Sequence, residues 1–168
     1  LGVYGIGLKR SMFKLGRIIV FESDDGDKYF RVDIDVEEWK KQEGWNLTFS
    51  EIDESKNGSF TKVSIKKLKD EVKREFESDR FVNELSDRIS KTYHIFINDM
   101  VDITVNGAKV SPYELDLVFS DTVEPAFKKF SFDGINVSLK AGAHPDYKNP
   151  GWYIFCNNRL IVSGDRSP

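Results

Sequence analysis

Alternation of apolar and charged residues beside a tight-turn signal is the feature that most limits how this chain can fold. Apolar side chains alternate with charged ones across residues 30–36, which is typical of a strand with one buried and one solvated face. The apolar run at residues 17–21 predicts a second strand, and Asp25-Gly26 between the two runs is a hairpin signal. We therefore predict an antiparallel hairpin near the start of the chain.

The neighbouring segments extend this pattern on both sides. Upstream, residues 8–15 carry apolar side chains at helical spacing, and Gly16 follows as a helix stop. Downstream, residues 45–49 and 61–65 alternate again, with a turn signal at residues 56–58 between them. The first third of the chain is thus predicted to be a helix followed by an antiparallel meander.

After Lys69 the apolar spacing changes to three and four residues within a highly charged segment, which predicts an amphipathic helix, or two helices joined near Ser78-Asp79. Asn106-Gly107 is a strong hairpin signal, and residues 130–139 and 152–162 supply further strand segments. This order predicts an α+β fold with largely antiparallel strands. The change in composition near Lys69 predicts a domain boundary, with one domain at residues 1–70 and a second at residues 71–168.

Composition narrows the class of protein. The 168 residues are 39% hydrophobic and 32% charged, with no apolar run of the roughly 20 residues that a membrane helix needs and no signal-peptide pattern. The lack of such a run predicts no membrane partner, and the single Cys156, which cannot form an internal disulfide, predicts a reducing, cytoplasmic setting. Two histidines and one cysteine are too few ligands for a zinc cluster. The net charge of -3 neither favours nor excludes binding to nucleic acid.

A glycine box opens the sequence. Gly2, Gly5 and Gly7 form a G-x-x-G-x-G pattern that leads directly into the first predicted helix. Glycine amides can approach a ligand closely, and a helix N-terminus attracts phosphate oxygens. A tight turn that caps a surface helix is an equally good interpretation. A P-loop is excluded because Gly-Lys-Ser/Thr is absent at the required spacing, and a dinucleotide-binding fold is disfavoured because no alternating parallel pattern follows.

The order of these segments resembles the GHKL ATPases, the superfamily of gyrase B, the heat-shock-ninety chaperones, histidine kinases and MutL. The glycine box, the strand at residues 61–65, the charged helix, the Asn106-Gly107 hairpin and the aromatic strand that ends in Asn157-Asn158-Arg159 follow one another as in that superfamily. The resemblance implies the C-terminal part of a Bergerat-type ATP-binding sandwich, followed by a transducer-like βαβ domain that is incomplete.

The resemblance also implies site residues. Gly2, Gly5 and Gly7 match the lid glycines whose amides wrap the β- and γ-phosphates of ATP, and Lys9 matches the basic position that follows them. Thr61 matches the strand threonine near the adenine, although Phe60 stands where a glycine is expected. Lys9 is equally well interpreted as a solvated helix residue, and Thr61 as an ordinary strand threonine.

The activity that the resemblance implies is ATP hydrolysis by the full-length protein, with the glycine lid closing over the nucleotide and a transducer relaying the closure. The family's Mg²⁺-binding Asn, its water-activating Glu and its adenine-reading D-x-G-x-G all precede the lid, and none is present in this sequence. We therefore expect a fragment with no catalytic residue of its own and with the Mg²⁺ ligand upstream of Leu1. The implied partners are a nucleotide and a second copy in a homodimer.

Two other functions remain open from the sequence. One is a non-catalytic α+β interaction or dimerisation module, in which the glycines form a structural turn. The other is DNA binding, for which the basic run at residues 62–74 is the sequence support. A phosphate-sensing lysine is not identifiable, since Lys140 and Lys148 are predicted to be loop residues.

Overall fold

The computed structural model describes residues 6–44, 47, 51–55, 58–115, 117–143 and 150–167, without the side chains of Ile6, Lys9 and residues 51–54. The chain forms two compact units, Leu1–Asp79 and Arg80–Pro168. Helices and antiparallel strands occur in both units, so the predicted α+β class is confirmed.

Unit 1 is a four-stranded antiparallel sheet with short helices. In chain order its elements are α1 (Ile6–Leu15), β1 (Gly16–Asp25), β2 (Lys28–Asp35), α2 (Val36–Trp39), β3 (Glu51–Glu54), β4 (Ser59–Leu68) and α3 (Asp70–Phe76). The strand order in the sheet is β3-β2-β1-β4. The predicted first helix, the β1–β2 hairpin and the strand around residues 61–65 are confirmed.

The β1–β2 turn forms because its residues satisfy its backbone locally. Gly26 has φ +99°, a conformation that glycine adopts without steric cost. The Asp24 carboxylate accepts a hydrogen bond from the Gly26 N–H at 2.9 Å, and the Asp25 carboxylate accepts from the Asp27 and Lys28 N–H groups at 2.9 and 2.8 Å. The hydrogen bonds from the Lys28 and Asp27 N–H groups hold the pKa of Asp25 below its usual value.

The core of unit 1 lies on one face of the sheet. Ile19 on the central strand is 0% exposed, and the register places it opposite Ile34 on one side and Ile65 on the other. Helices α1 and α2 add Met12 and Val36 to the same buried cluster. Six partly buried side chains surround the cluster: Phe13, Phe21, Trp39, Leu47, Val63 and Ile65. Burial of this face is the main contribution to the stability of unit 1.

Strand β2 ends earlier than its alternation predicts. Val36 continues the apolar pattern of the strand but is the first residue of α2, so its predicted strand conformation is wrong. The reason is a helix cap, because the Asp35 carboxylate accepts hydrogen bonds from the Glu37 and Glu38 N–H groups. Val36 is buried in α2, as it would be on the apolar face of a longer strand, so the apolar pattern alone could not distinguish helix from strand at this residue.

Two predicted features of unit 1 fall largely outside the described residues. Of the predicted strand at residues 45–49 only Leu47 is described, and it packs against the core cluster. Of the predicted turn at residues 56–58 only Gly58 is described, in a bend.

The described residues of unit 2 form helices followed by three hairpins. Its elements are α4 (Asp79–Thr92), which begins at the boundary, α5 (His94–Asp99), β5 (Thr104–Val105), β6 (Ala108–Lys109), β7 (Ala126–Phe132), β8 (Ile135–Ala141), β9 (Trp152–Cys156) and β10 (Arg159–Asp165). The predicted break in the charged helix is confirmed, since α3 ends at Phe76 and α4 begins at Asp79.

All three hairpins of unit 2 use two-residue turns with positive φ. The turn residues are Asn106-Gly107, Asp133-Gly134 and Asn157-Asn158, with φ between +48° and +81°. Such turns match the twist of antiparallel strands, and Asn, Asp and Gly tolerate them best. The Asn106-Gly107 hairpin is thus confirmed, and the segments at residues 130–139 and 152–162 each contain a turn that divides them into two strands.

Glycines at the two ends of α1 are expected to respond oppositely to an added methyl group. A Cβ on Gly16 would lie 2.7 Å from Ile65 Cγ2 and 2.9 Å from the Lys66 carbonyl oxygen, whereas a Cβ on Gly7 would meet no atom within 4 Å. We predict that Gly16→Ala destabilises the protein by about 1–3 kcal/mol through overpacking. Gly7→Ala, the matched control, should stabilise α1 by about 0.5–1 kcal/mol. Urea unfolding followed by circular dichroism measures both, and a Gly16→Ala variant as stable as the wild type would contradict the close approach of β1 and β4.

Candidate functional site

The predicted lid glycines are only partly within the described residues. Gly2 and Gly5 lie outside them, and Lys9 is described only as a backbone position of α1. Gly7 is in the first turn of α1 and exposed. Because a side chain at Gly7 would meet nothing within 4 Å, packing inside the described structure does not require glycine there. The role of the glycines in phosphate binding stays a prediction.

Thr61 lies on the sheet face that carries the core. It is paired with Ser23 of β1, and the next pairs along the same face are Phe21 with Val63 and Ile19 with Ile65. The Thr61 and Ser23 hydroxyl oxygens are 3.3 Å apart, within hydrogen-bond distance. The apolar row of the sheet therefore ends in two hydroxyl groups, and Thr61 is exposed.

The same face receives helix α1. Met12 of α1 packs in one cluster with Ile19, and Phe13 contacts the edge of that cluster. The helix that follows the glycine box thus packs on the same sheet face that carries the strand threonine.

The opposite face of the sheet carries a charged network that the sequence analysis missed. The Tyr29 hydroxyl donates a hydrogen bond to Glu22 Oε1 at 2.6 Å, and Arg31 and Lys62 lie 3.6 and 3.8 Å from the same carboxylate. Tyr29 is 1% exposed, and its hydrogen bond to Glu22 raises the pKa of the phenol. The hydrogen bond from Arg31 lowers the pKa of Asp33. Alternation could have indicated this pairing, because Glu22 and Arg31 point to the same face when β1 and β2 form a hairpin.

A cavity of about 200 Å³ lies where β2 meets α2. Its lining includes three carboxylates, those of Asp33, Asp35 and Glu38, beside the Trp39 ring. Each carboxylate has a cationic partner: Arg31 Nε is 2.7 Å from Asp33, Arg17 Nη2 is 2.8 Å from Asp35, and Lys41 Nζ is 2.9 Å from Glu38. Their charges are therefore already compensated within the protein, which makes the cavity a poor site for an additional cation.

The Asp35 carboxylate is held in its ionised form by several hydrogen-bond donors. Hydrogen bonds from the Arg17 guanidinium, followed by those from the Glu37 and Glu38 N–H groups, lower its pKa to about 2. The ionised carboxylate thus joins the start of β1 to the start of α2.

In unit 2 a cavity of about 430 Å³ lies beside the β7–β8 hairpin. Its lining is mostly apolar, with Phe119 and Phe127 among the aromatic residues and Glu124 and Lys140 as the charged ones. Lys140 was predicted to be a loop residue but is on β8, so that prediction is wrong. His144 and Lys148, the other residues considered for phosphate sensing, lie outside the described residues.

The described part of the chain carries neither a metal-binding cluster nor a membrane-spanning helix. No group of three or more His, Cys, Asp or Glu side chains there is arranged to hold a metal ion. None of the helices described has the length and apolar character needed to cross a bilayer. Comparisons with protein-family models, with curated proteins and with solved structures find no match to this chain.

The Arg17–Asp35 pair should make stability depend on pH. Asp35 has a pKa of about 2 in the folded protein against 3.8 for an unperturbed carboxyl, so its contribution is present above about pH 4 and is lost as the pH falls toward 2. We predict that Asp35→Asn, which keeps a capping oxygen, lowers the urea midpoint at pH 7, and that the difference from the wild type shrinks between pH 5 and about 2. Glu43→Gln, at an exposed position, is the control. A difference that does not change with pH would contradict the assigned charge interaction.

Proposed function

We propose that this chain is part of an ATP-dependent conformational switch of the GHKL type, with the N-terminus of α1 and Thr61 contributing to its nucleotide site. The observation that carries the proposal is the location of Thr61 on the sheet face against which α1 packs. In the resemblance drawn from the sequence, the glycine lid and the strand threonine act on one nucleotide. The position of α1 and Thr61 on the same side of the sheet is compatible with that requirement.

The groups available in this layer suit a nucleotide chemically. The first turn of α1 offers backbone N–H groups and the positive end of the helix dipole, both of which favour phosphate oxygens. The Thr61 hydroxyl can donate or accept a hydrogen bond with a base or with an ordered water. ATP and Mg²⁺ are the proposed ligands, and the resemblance assigns the Mg²⁺ ligand to a segment that is not in this sequence.

These residues would bind the nucleotide and enclose it. The α1 amides would orient the phosphates and the lid would exclude bulk water, while Thr61 would contribute to selection of the base. The resemblance assigns the water-activating Glu to a segment that precedes the lid and is not in this sequence. The proposed activity therefore belongs to the full-length protein.

Titration of the ¹⁵N-labelled chain with Mg-ATP tests the proposed site. Because the adenine-reading and Mg²⁺-binding motifs are absent from the sequence, we predict weak affinity, on the order of millimolar, and negligible hydrolysis. Amide shifts should be largest in the first turn of α1 and at Ser23 and Thr61. Shifts confined to the opposite sheet face or to unit 2, or micromolar affinity, would contradict this prediction.

A pair of variants on β4 sharpens the test. Thr61→Val removes the hydroxyl but keeps the side-chain shape, and loss of one hydrogen bond should weaken binding by roughly two- to tenfold. Ser64→Ala removes a hydroxyl from the other face of the same strand and should leave the affinity unchanged. Equal effects of the two substitutions would show that Thr61 has no specific role.

The alternative function is a non-catalytic interaction module. It is favoured by the exposed apolar side chains of unit 2, which include Phe119, Phe132 and Trp152. An absence of any Mg-ATP-dependent amide shift in the titration would select this alternative over the nucleotide switch.

A further inference from the structure

Among the described residues of unit 2, the outer edge of β8 is the least protected strand edge. Strands β7 and β8 form a regular seven-residue ladder from Ala126↔Ala141 to Phe132↔Ile135, and within the described residues they form a sheet of their own. Every residue of β8 is exposed except the partly exposed Val137. An exposed, regular edge presents backbone N–H and C=O groups that can pair with another strand.

Other edges carry features that oppose such pairing. Strand β4 has three lysines, Lys62, Lys66 and Lys67. The β9–β10 ladder has two register shifts, and β5 and β6 are two residues long each. Strand β7 has adjacent lysines, Lys128 and Lys129. Lysines, bulges and short length are the usual protections of edge strands. Strand β8 has one lysine, near its end.

The turn fixes which backbone groups of β8 point outward. Asp133-Gly134 is a two-residue turn with φ +48° and +76°, so the flanking pair Phe132↔Ile135 is hydrogen-bonded. Hydrogen-bonded and non-hydrogen-bonded pairs alternate along an antiparallel ladder. The N–H and C=O groups of Asn136, Ser138 and Lys140 therefore point away from β7.

The ribbon also has one apolar face that its two strands cannot bury. The register puts five large apolar side chains on this face, together with Ala126, Ala141 and one charged residue, Lys128; the five are Phe130, Phe132, Ile135, Val137 and Leu139. Phe132 is 72% exposed and Ile135 is 64% exposed. A two-stranded ribbon is marginally stable in water, and three or more strands with an apolar face are needed for a stable sheet. Additional strands at the β8 edge would meet that requirement.

We propose that β8 pairs with β8 of a second copy of this chain, antiparallel and centred on Ser138, to form a four-stranded sheet across a two-fold axis. In this register Ser138 pairs with Ser138 of the second copy, and Asn136 pairs with Lys140 of the second copy. The outward N–H and C=O groups of the two β8 strands therefore face one another. About six backbone hydrogen bonds result. This association concerns unit 2 and does not depend on the proposed nucleotide site.

Side chains favour this register. On the apolar face Val137 lies opposite Leu139 of the second copy, and Ile135 lies opposite Ala141, so each apolar residue gains an apolar cross-strand neighbour. On the other face each Lys140 has an asparagine opposite it, and the two lysines are at opposite ends of the new ladder. Symmetric pairing of β7 through its central outward residue would instead place Lys129 against Lys129, and like charges directly opposite destabilise a sheet. A second copy therefore fits the β8 edge better than the β7 edge.

Cysteine cross-linking tests which edge pairs. Ser138 and Ser131 are both exposed and lie on the same face of the ribbon, but Ser131 is on β7. In a Cys156→Ser background, which removes the native exposed thiol, a short bismaleimide should cross-link Ser138→Cys into dimers at least about tenfold faster than Ser131→Cys, because the two thiols are held close together. Equal rates, or faster cross-linking of Ser131→Cys, would overturn the proposal.

Proline substitution at the same two positions provides a test without a cross-linker. The N–H of Ser138 and that of Ser131 both point out of the hairpin, so proline at either position preserves the β7–β8 hydrogen bonds. Ser138→Pro removes two intermolecular hydrogen bonds from the proposed dimer and should weaken it roughly ten- to hundredfold in sedimentation velocity. Ser131→Pro should leave the dimer unchanged, and circular dichroism checks that both variants fold. A wild-type chain that stays monomeric at high micromolar concentration, or a dimer insensitive to Ser138→Pro, would overturn the proposal.

Discussion

Strand β1 has a partner on each side, and the rest of unit 1 depends on this central position. Ile19 of β1 is fully buried between Ile34 of β2 and Ile65 of β4. The register that aligns these three side chains also decides which residues meet on each face, because side chains alternate with a period of two and a one-residue slip would exchange the faces. The helices then cover the apolar face, and the charged residues remain on the other.

This arrangement explains why the candidate site lies at one end of the apolar face. The row of apolar pairs gives way to the Ser23–Thr61 pair, so the polar groups lie on the same face as the core. At the other end of this face β1 can approach β4 closely, because Gly16 has no side chain to contact Ile65 and Lys66. The sheet therefore carries Thr61 on the same face against which α1 packs, and the proposed nucleotide site is argued from this arrangement.

Unit 2 is stabilised differently. Each of its three described hairpins is specified by a two-residue turn whose residues adopt positive φ. The apolar face of the β7–β8 ribbon is more exposed than the core face of unit 1. In unit 1 the central strand β1 has strand partners on both sides within one chain, whereas among the described residues of unit 2 strand β8 is paired only with β7. The proposed association through β8 addresses this difference, since it adds the strands that a two-stranded ribbon lacks.

The sequence by itself determined the elements whose cause is local. Asp25-Gly26 and Asn106-Gly107 specify tight turns through their backbone conformations, and the change in apolar spacing after Lys69 specifies helices. Of the candidate site, the sequence could name Gly7 and Thr61 but not their surroundings. Only the tertiary structure decided that Tyr29 is buried against Glu22 and that Thr61 meets Ser23. These contacts join residues from different strands, and their geometry follows from the register of the whole sheet, which no single segment of the sequence specifies.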